Sequence, residues 1–139
     1  MQRTYIAAAG GSPGLVRELR RNLTTASTTV VDDPATATAL LNILSAQQFQ
    51  RVLSVSNTGQ PLEYQVAYRV EFSLTVGGKT LIDKQTLTLT RNYAYDVANA
   101  LGDVQQANVL YSVLEREMAQ LITFRLEAAG RQMAAPGSP

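Results

Sequence analysis

Alternation of apolar and polar residues is the clearest pattern in the chain, and it runs from Tyr64 to Val76. Such a pattern is typical of a strand with one buried and one wet face. Two adjacent glycines, Gly77 and Gly78, follow directly and predict a tight hairpin turn. A further alternating strand is predicted from Thr80 to about Thr90.

An earlier apolar run, from Thr38 to Val55, has a less regular period. We interpret it as one long, bulged strand that ends at a turn over Asn57–Gly59. A helix over part of this span is the alternative, because short apolar runs fit both structures. The three long strands would form an antiparallel meander.

Two helices are predicted, one near each end of the chain. After a short strand at Thr4–Ala9, the dipeptide Ser12-Pro13 is typical of a helix start. Val30-Val31 is a candidate for a brief strand, but we leave it out of the element order. In the final helix, apolar residues recur every three or four positions from near Asp103, and Gly130 is the predicted stop.

The element order β-α-β-β-β-α predicts an α+β fold. We expect a two-layer α/β sandwich, with a mostly antiparallel four-stranded sheet and both helices on one face. The other face would be uncovered and rich in Thr, Gln and Ser. Residues 1–130 would form a single domain, and the small, proline-rich residues 131–139 a disordered tail.

Composition then reduces the number of function classes that fit the chain. The chain has 139 residues, 45% of them hydrophobic, which suffices for one core. With 12 basic and 11 acidic residues the net charge is +1, so no overall basic excess indicates a nucleic-acid partner. The sequence contains neither Cys nor His, the residues behind many nucleophiles, metal sites and proton carriers. We therefore expect no enzyme activity, no metal and no cofactor.

The pattern of apolar residues also predicts no membrane-spanning helix. The longest apolar runs are much shorter than the roughly 18 residues that indicate a membrane-spanning helix. The first residues lack the basic and apolar regions of a signal peptide. We expect these residues to form a soluble domain, from which a leader could have been removed.

Several short motifs follow one another in the second half of the chain in a distinctive order. They are Glu63-Tyr64-Gln65, the aromatic segment Arg91–Asp96 with Leu101, Leu110-Tyr111, Arg116–Ala119 and Leu121-Ile122. In this order and spacing they resemble the LptE family, the lipopolysaccharide-assembly lipoproteins that partner the outer-membrane barrel LptD. The resemblance covers residues 61–126 well and the first half by element order.

The resemblance implies a non-enzymatic lipoprotein on the periplasmic side of the Gram-negative outer membrane. Such a protein would plug and help assemble an LptD-type barrel and contact lipopolysaccharide during its delivery to the cell surface. It would be held at the membrane by an N-terminal lipid on a cysteine that these residues lack. The alternative is a generic periplasmic adaptor or pilotin for another secretion barrel.

Five residues should gather where the meander strands end. They are Arg51, Tyr64, Arg91, Tyr93 and Tyr95. We expect Arg91 and Arg51 to bind lipopolysaccharide, because guanidinium groups match phosphate, and Tyr64, Tyr93 and Tyr95 to bind the partner. In the other interpretation Arg91 pairs with Asp96 or Asp103, and the tyrosines join the strand end to the helix.

The chain also departs from the family pattern. Asp103 stands where a basic residue is common, shortly after the aromatic segment. The turn at Asn57–Gly59 contains no Lys or Arg. The family's lipopolysaccharide-binding roles therefore do not transfer directly to these positions.

Overall fold

The alternating segments form a single five-stranded sheet in the computed structural model, which describes residues 3–8, 13–26, 28–95, 98 and 100–134. The strands are β1 (Arg3–Ala7), β2 (Thr29–Val31), β3 (Ala39–Val55), β4 (Pro61–Val76) and β5 (Lys79–Ala94). The helices are α1 (Pro13–Thr25) and α2 (Ala100–Ala134), and a 3-10 turn covers Pro34–Thr36. The α+β class is confirmed.

The strand order in the sheet is β2-β1-β3-β4-β5. β1 runs parallel to both of its neighbours, whereas β3, β4 and β5 form the predicted antiparallel meander. The prediction of four strands is wrong, because β2 pairs with Arg3–Tyr5 at the sheet edge. Three residues are too few to show a period, so this strand depends on its pairing rather than on its pattern.

A bulge in β3 explains why the apolar pattern of this strand is irregular. The strand pairs with β4 along its length, so the alternative of a helix over Thr38–Val55 is wrong. The register shifts between Ile43 and Ser45. Such an insertion exchanges the two faces of the strand, so a constant period of two cannot run through it. After the shift Gln50, opposite Val66, lies on the helix-covered face.

Both helices bury one stripe against the same face of the sheet. α1 begins at Pro13, as predicted, and buries Leu15, Leu19 and Leu23 completely. α2 begins near the expected position but passes Gly130 and ends at Ala134. The predicted stop is wrong, because an interior glycine costs a helix only about 1 kcal/mol relative to alanine. The predicted tail from residue 131 therefore begins too early, and residues 135–139 lie outside the described residues.

The core lies between the helices and the even-numbered residues of β4. Its largest fully buried side chains include those of Tyr68, Phe72, Leu74, Leu114, Met118 and Ile122. On the opposite face of the sheet, here called the open face, β5 exposes Thr86, Thr88 and Thr90. Among the described residues, no helix is both long and apolar enough to span a membrane.

One buried polar group stands out in this core. Thr4 on β1 is fully buried, and its hydroxyl has no hydrogen-bond partner among the described residues. We expect Thr4→Val to raise the free energy of unfolding by about 1 kcal/mol, because it keeps the shape and removes an unpaired hydroxyl. Denaturant unfolding measures this, with Thr86→Val, at an exposed strand position, as control. A loss of stability in Thr4→Val would contradict the prediction.

Candidate functional site

Three tyrosines pack together where β4 begins and β5 ends, and we call them the aromatic corner: Tyr64, Tyr93 and Tyr95. Tyr64 lies directly opposite Tyr93 in the sheet register. Their rings stack with centroids 5.7 Å apart, while the ring of Tyr95 meets that of Tyr64 edge-on at 5.2 Å. Both arrangements are among those that aromatic pairs prefer. The corner is therefore an ordered cluster.

The corner forms because β5 continues beyond its predicted end at Thr90. The strand includes Arg91–Ala94, so Tyr93 holds a fixed place opposite its neighbour. The backbone amide of Tyr95 then donates to the carbonyl of Leu62 at 2.9 Å. These bonds fix the aromatic segment as part of the sheet.

Sequence analysis missed Gln50, which supports the corner from β3. Its side-chain amide donates a hydrogen bond to the hydroxyl of Tyr93. Tyr93 is only 5% exposed, so its polar end needs such a partner while its ring packs in the core. The bulge in β3 is what turns Gln50 toward this face.

Arg91 also lies on the helix-covered face, opposite Val66. Its guanidinium pairs with the carboxylate of Glu117 on α2, and it donates to the carbonyl of Thr90 at 3.0 Å. Of the two alternative partners, Asp96 lies outside the described residues, and so does the side chain of Asp103. The Arg91–Glu117 ion pair thus joins the end of β5 to the helix, and it leaves 44% of the Arg91 side chain exposed.

Arg51 lies on the open face instead. It is opposite Gln65, the neighbour of Val66, and adjacent strand residues point to opposite faces. Arg51 Nε donates to Gln65 at 2.8 Å, and Gln65 in turn donates to Asn92 at 3.1 Å. The five predicted residues therefore share one end of the sheet but are divided between its two faces.

This polar row continues along the open face. Arg69 lies on the same face, with its guanidinium carbon 5.2 Å from the ring centre of Phe49. That distance is within the range of a cation–π contact. The open face thus presents two guanidinium groups among amides and hydroxyls.

The β3–β4 hairpin ends in an exposed cluster of aliphatic side chains beside the aromatic corner. We call Val52, Leu53, Val55 and Leu62 the apolar tip; each is between 40% and 55% exposed. No charged residue occurs from Val52 to Leu62. Exposed apolar patches of this kind are typical of interaction sites. An uncharged stretch in a hairpin was a signal that could have indicated the tip from sequence.

Tyr111 on α2 has a phenol whose acidity is changed by its surroundings. Partial burial raises the pKa of its phenol above the ordinary value. Tyr111 packs against the core as a partly buried aromatic side chain.

Known families and solved structures include relatives of this chain. The model of the family described as "LptE: Lipopolysaccharide-assembly" matches residues 1–126. No protein with a curated description matches the chain.

Solved structures of lipoproteins share the fold. Rare lipoprotein B from Shewanella oneidensis superposes with a TM-score of 0.84 at 20% identity, covering 96% of this chain and 99% of that chain. An uncharacterized lipoprotein B from Nitrosomonas europaea superposes with a TM-score of 0.81 at 26% identity, covering 96% of this chain and 88% of that chain. A minor lipoprotein from Acinetobacter baumannii superposes with a TM-score of 0.76 at 22% identity, covering 91% of each chain.

Proposed function

The chain belongs to the LptE family of lipopolysaccharide-assembly proteins, and we propose that it is a non-catalytic lipoprotein that plugs and helps assemble an LptD-type outer-membrane barrel. The observation that carries this proposal is the family match over residues 1–126. The protein acts from the periplasmic side of the outer membrane, held there by an N-terminal lipid anchor.

The apolar tip and the aromatic corner are the surface that meets the barrel. They are adjacent in the fold, since Tyr64 lies opposite Val52 and the backbone of Tyr95 bonds to Leu62. Interface cores are depleted in charge and enriched in aromatic residues, which fits this end of the molecule. Because backbone pairing and ring packing already order the corner, little conformational entropy is lost on binding.

Lipopolysaccharide is contacted by the two arginines at the same end of the sheet. Arg51 engages Gln65 through Nε only, and its terminal nitrogens make no hydrogen bond or ion pair with the described residues. They form a fork of the kind that binds phosphate oxygens in pairs. Arg91 offers the exposed part of a guanidinium whose charge is partly compensated by Glu117.

Arg91 requires a test that separates lipid binding from its ion pair. Arg91→Glu alone would set two carboxylates against each other, so it would alter folding as well as charge. The double variant Arg91→Glu with Glu117→Arg restores an ion pair in the opposite sense. We expect it to unfold at nearly the wild-type temperature and to bind lipopolysaccharide vesicles about fivefold more weakly, the effect of roughly 1 kcal/mol.

The measurement is vesicle sedimentation at low salt, where surface charge has its largest effect. Exchange of another ion pair, Lys84→Glu with Glu71→Lys, controls for the substitutions themselves; Lys84 Nζ lies 3.5 Å from the Glu71 carboxylate. Unchanged affinity of the Arg91 double variant would remove Arg91 from the lipid site.

The barrel role is tested with a lipidated form of the protein. We expect a purified LptD-type barrel to be retained by the immobilised lipoprotein and to elute with it as one complex. A lipoprotein that stays folded but shows no affinity for that barrel would overturn the proposed function.

A further inference from the structure

We propose that the outer edge of β5 pairs with the same edge of a second copy of this chain, forming a two-fold symmetric dimer with a continuous sheet. This inference goes beyond the proposed function and does not depend on it. It rests on the exposure, the composition and the symmetry of one strand.

β5 is an open edge of unusual length. It is the last strand in the sheet order and has 16 residues, whereas β2 at the other edge has three. In a strand at a sheet edge, about half of the backbone N–H and C=O groups point away from the neighbouring strand. β5 therefore presents a long row of hydrogen-bonding groups that β4 does not use.

Natural sheets protect such edges with charges, prolines or bulges. The first half of β5 has this protection, since its register shifts between Ile82 and Gln85 and Lys84 lies there. From Gln85 to Thr90 the strand contains no charge and no proline. Its pairing with β4 is regular from Gln85 to Ala94. The segment Gln85–Thr90 is thus a regularly paired edge without charge or proline, and Arg91 is the first charged residue after it.

The sequence of this segment favours a second copy as the occupant. Residues 86–90 read Thr-Leu-Thr-Leu-Thr, which is the same in both directions. An antiparallel copy related by a two-fold axis at Thr88 would set Thr88 against Thr88 and Leu87 against Leu89. Directly opposite residues share a face, so threonines would meet on the open face and leucines on the helix-covered face.

Charge does not oppose this pairing. In the same register Gln85 faces Arg91 and Lys84 faces Asn92, so no like charges lie opposite each other. The net charge of +1 adds little repulsion between copies. A closed two-fold arrangement uses the edge of each copy once and ends the growth of the sheet.

The lack of cysteine in the chain makes a clean crosslinking test possible. Thr88→Cys would bring two thiols together at the axis, because side chains opposite each other in antiparallel strands have Cβ atoms roughly 5 Å apart. We expect mild oxidation to give a disulfide-linked dimer. Thr29→Cys, an exposed threonine on the other edge, is the matched control and should remain monomeric.

The register is tested by mixing two variants. Thr86→Cys and Thr90→Cys face each other in the proposed dimer, so the mixture should crosslink faster than either variant alone. In sedimentation equilibrium, Thr88→Lys should weaken association about tenfold by opposing two ammonium groups, while Thr29→Lys should not.

Three results would overturn the proposal. One is a wild-type chain that remains monomeric at all concentrations. Another is equal crosslinking at Thr29 and Thr88. The third is hydrogen exchange in which the β5 amides gain protection only when a barrel protein is added, since the occupant would then be a strand of that partner.

Discussion

Replacing Leu53 and Leu62 together by aspartate should reduce the affinity of the protein for the proposed LptD-type barrel by about thirtyfold or more. Both side chains are at least 40% exposed in the free protein, so the fold does not depend on burying them. If the apolar tip is the centre of the interface, two carboxylates there would be buried without partners, which costs about 2 kcal/mol or more. Retention of the purified barrel over a range of concentrations measures the loss.

A matched control is available at two exposed apolar positions farther along the fold. Leu44→Asp with Phe124→Asp introduces the same charges at side chains that are 46% and 58% exposed, on β3 eight residues before Val52 and in the second half of α2. We expect that variant to bind the barrel as the wild type does. Equal loss in both variants would mean that added negative charge, not the tip, weakens the complex.

Truncating Tyr93 should have the largest effect on stability among the site residues. Its ring is 5% exposed and stacks on Tyr64, and its hydroxyl accepts from Gln50. We expect Tyr93→Ala to lower the free energy of unfolding by about 3–5 kcal/mol, since it removes a buried aromatic ring and leaves a cavity. Tyr93→Phe keeps the ring and should cost only about 1 kcal/mol for the lost hydrogen bond.

Chemical denaturation of the free domain distinguishes these effects. Tyr95→Ala removes a ring that packs edge-on and is only partly buried, so its effect should be smaller than that of Tyr93→Ala. If Tyr93→Ala unfolds at the wild-type denaturant concentration, the ring does not hold the strand end in place. The aromatic corner would then be a surface feature only.

The regular part of the fold could be predicted because local pattern and pairing agree there. β4 alternates without interruption, and Gly77 and Gly78 both have positive φ, 58° and 80°, as a tight hairpin turn requires. β2 was only a candidate strand at Val30-Val31, since its three residues are defined by pairing with β1 and not by a pattern. α2 continues past Gly130 to Ala134, since a single interior glycine costs a helix only about 1 kcal/mol relative to alanine.

The candidate site could be predicted in position but not in orientation. The meander alone brings Tyr64 beside Tyr93, because their strands are adjacent. Without the bulge after Ile43, Arg51 would lie on the same buried face as Ile43. The register shift places Arg51 on the open face instead. The irregular period of Thr38–Val55 predicted a bulge in this strand, but it did not show at which residue the bulge lies or which residues it turns to the other face.

Glu117 could not have been identified from sequence as the partner of Arg91. The two residues are 26 positions apart, and their contact depends on how α2 crosses the sheet. Sequence analysis considered acidic residues close in the chain, and the three-dimensional packing provides a distant one. Long-range ion pairs of this kind follow from the helix position rather than from spacing.

The most direct test of the central claim is a photo-crosslinker placed at Leu62 in a lipidated form of the protein, in cells that make an LptD-type barrel. Leu62 is 48% exposed, and its backbone holds the aromatic corner in place. We predict a crosslink to that barrel, and none from the same group at Arg21, which is exposed on α1. Capture of a different secretion barrel from Leu62, or of no barrel while the protein remains folded, would contradict this account.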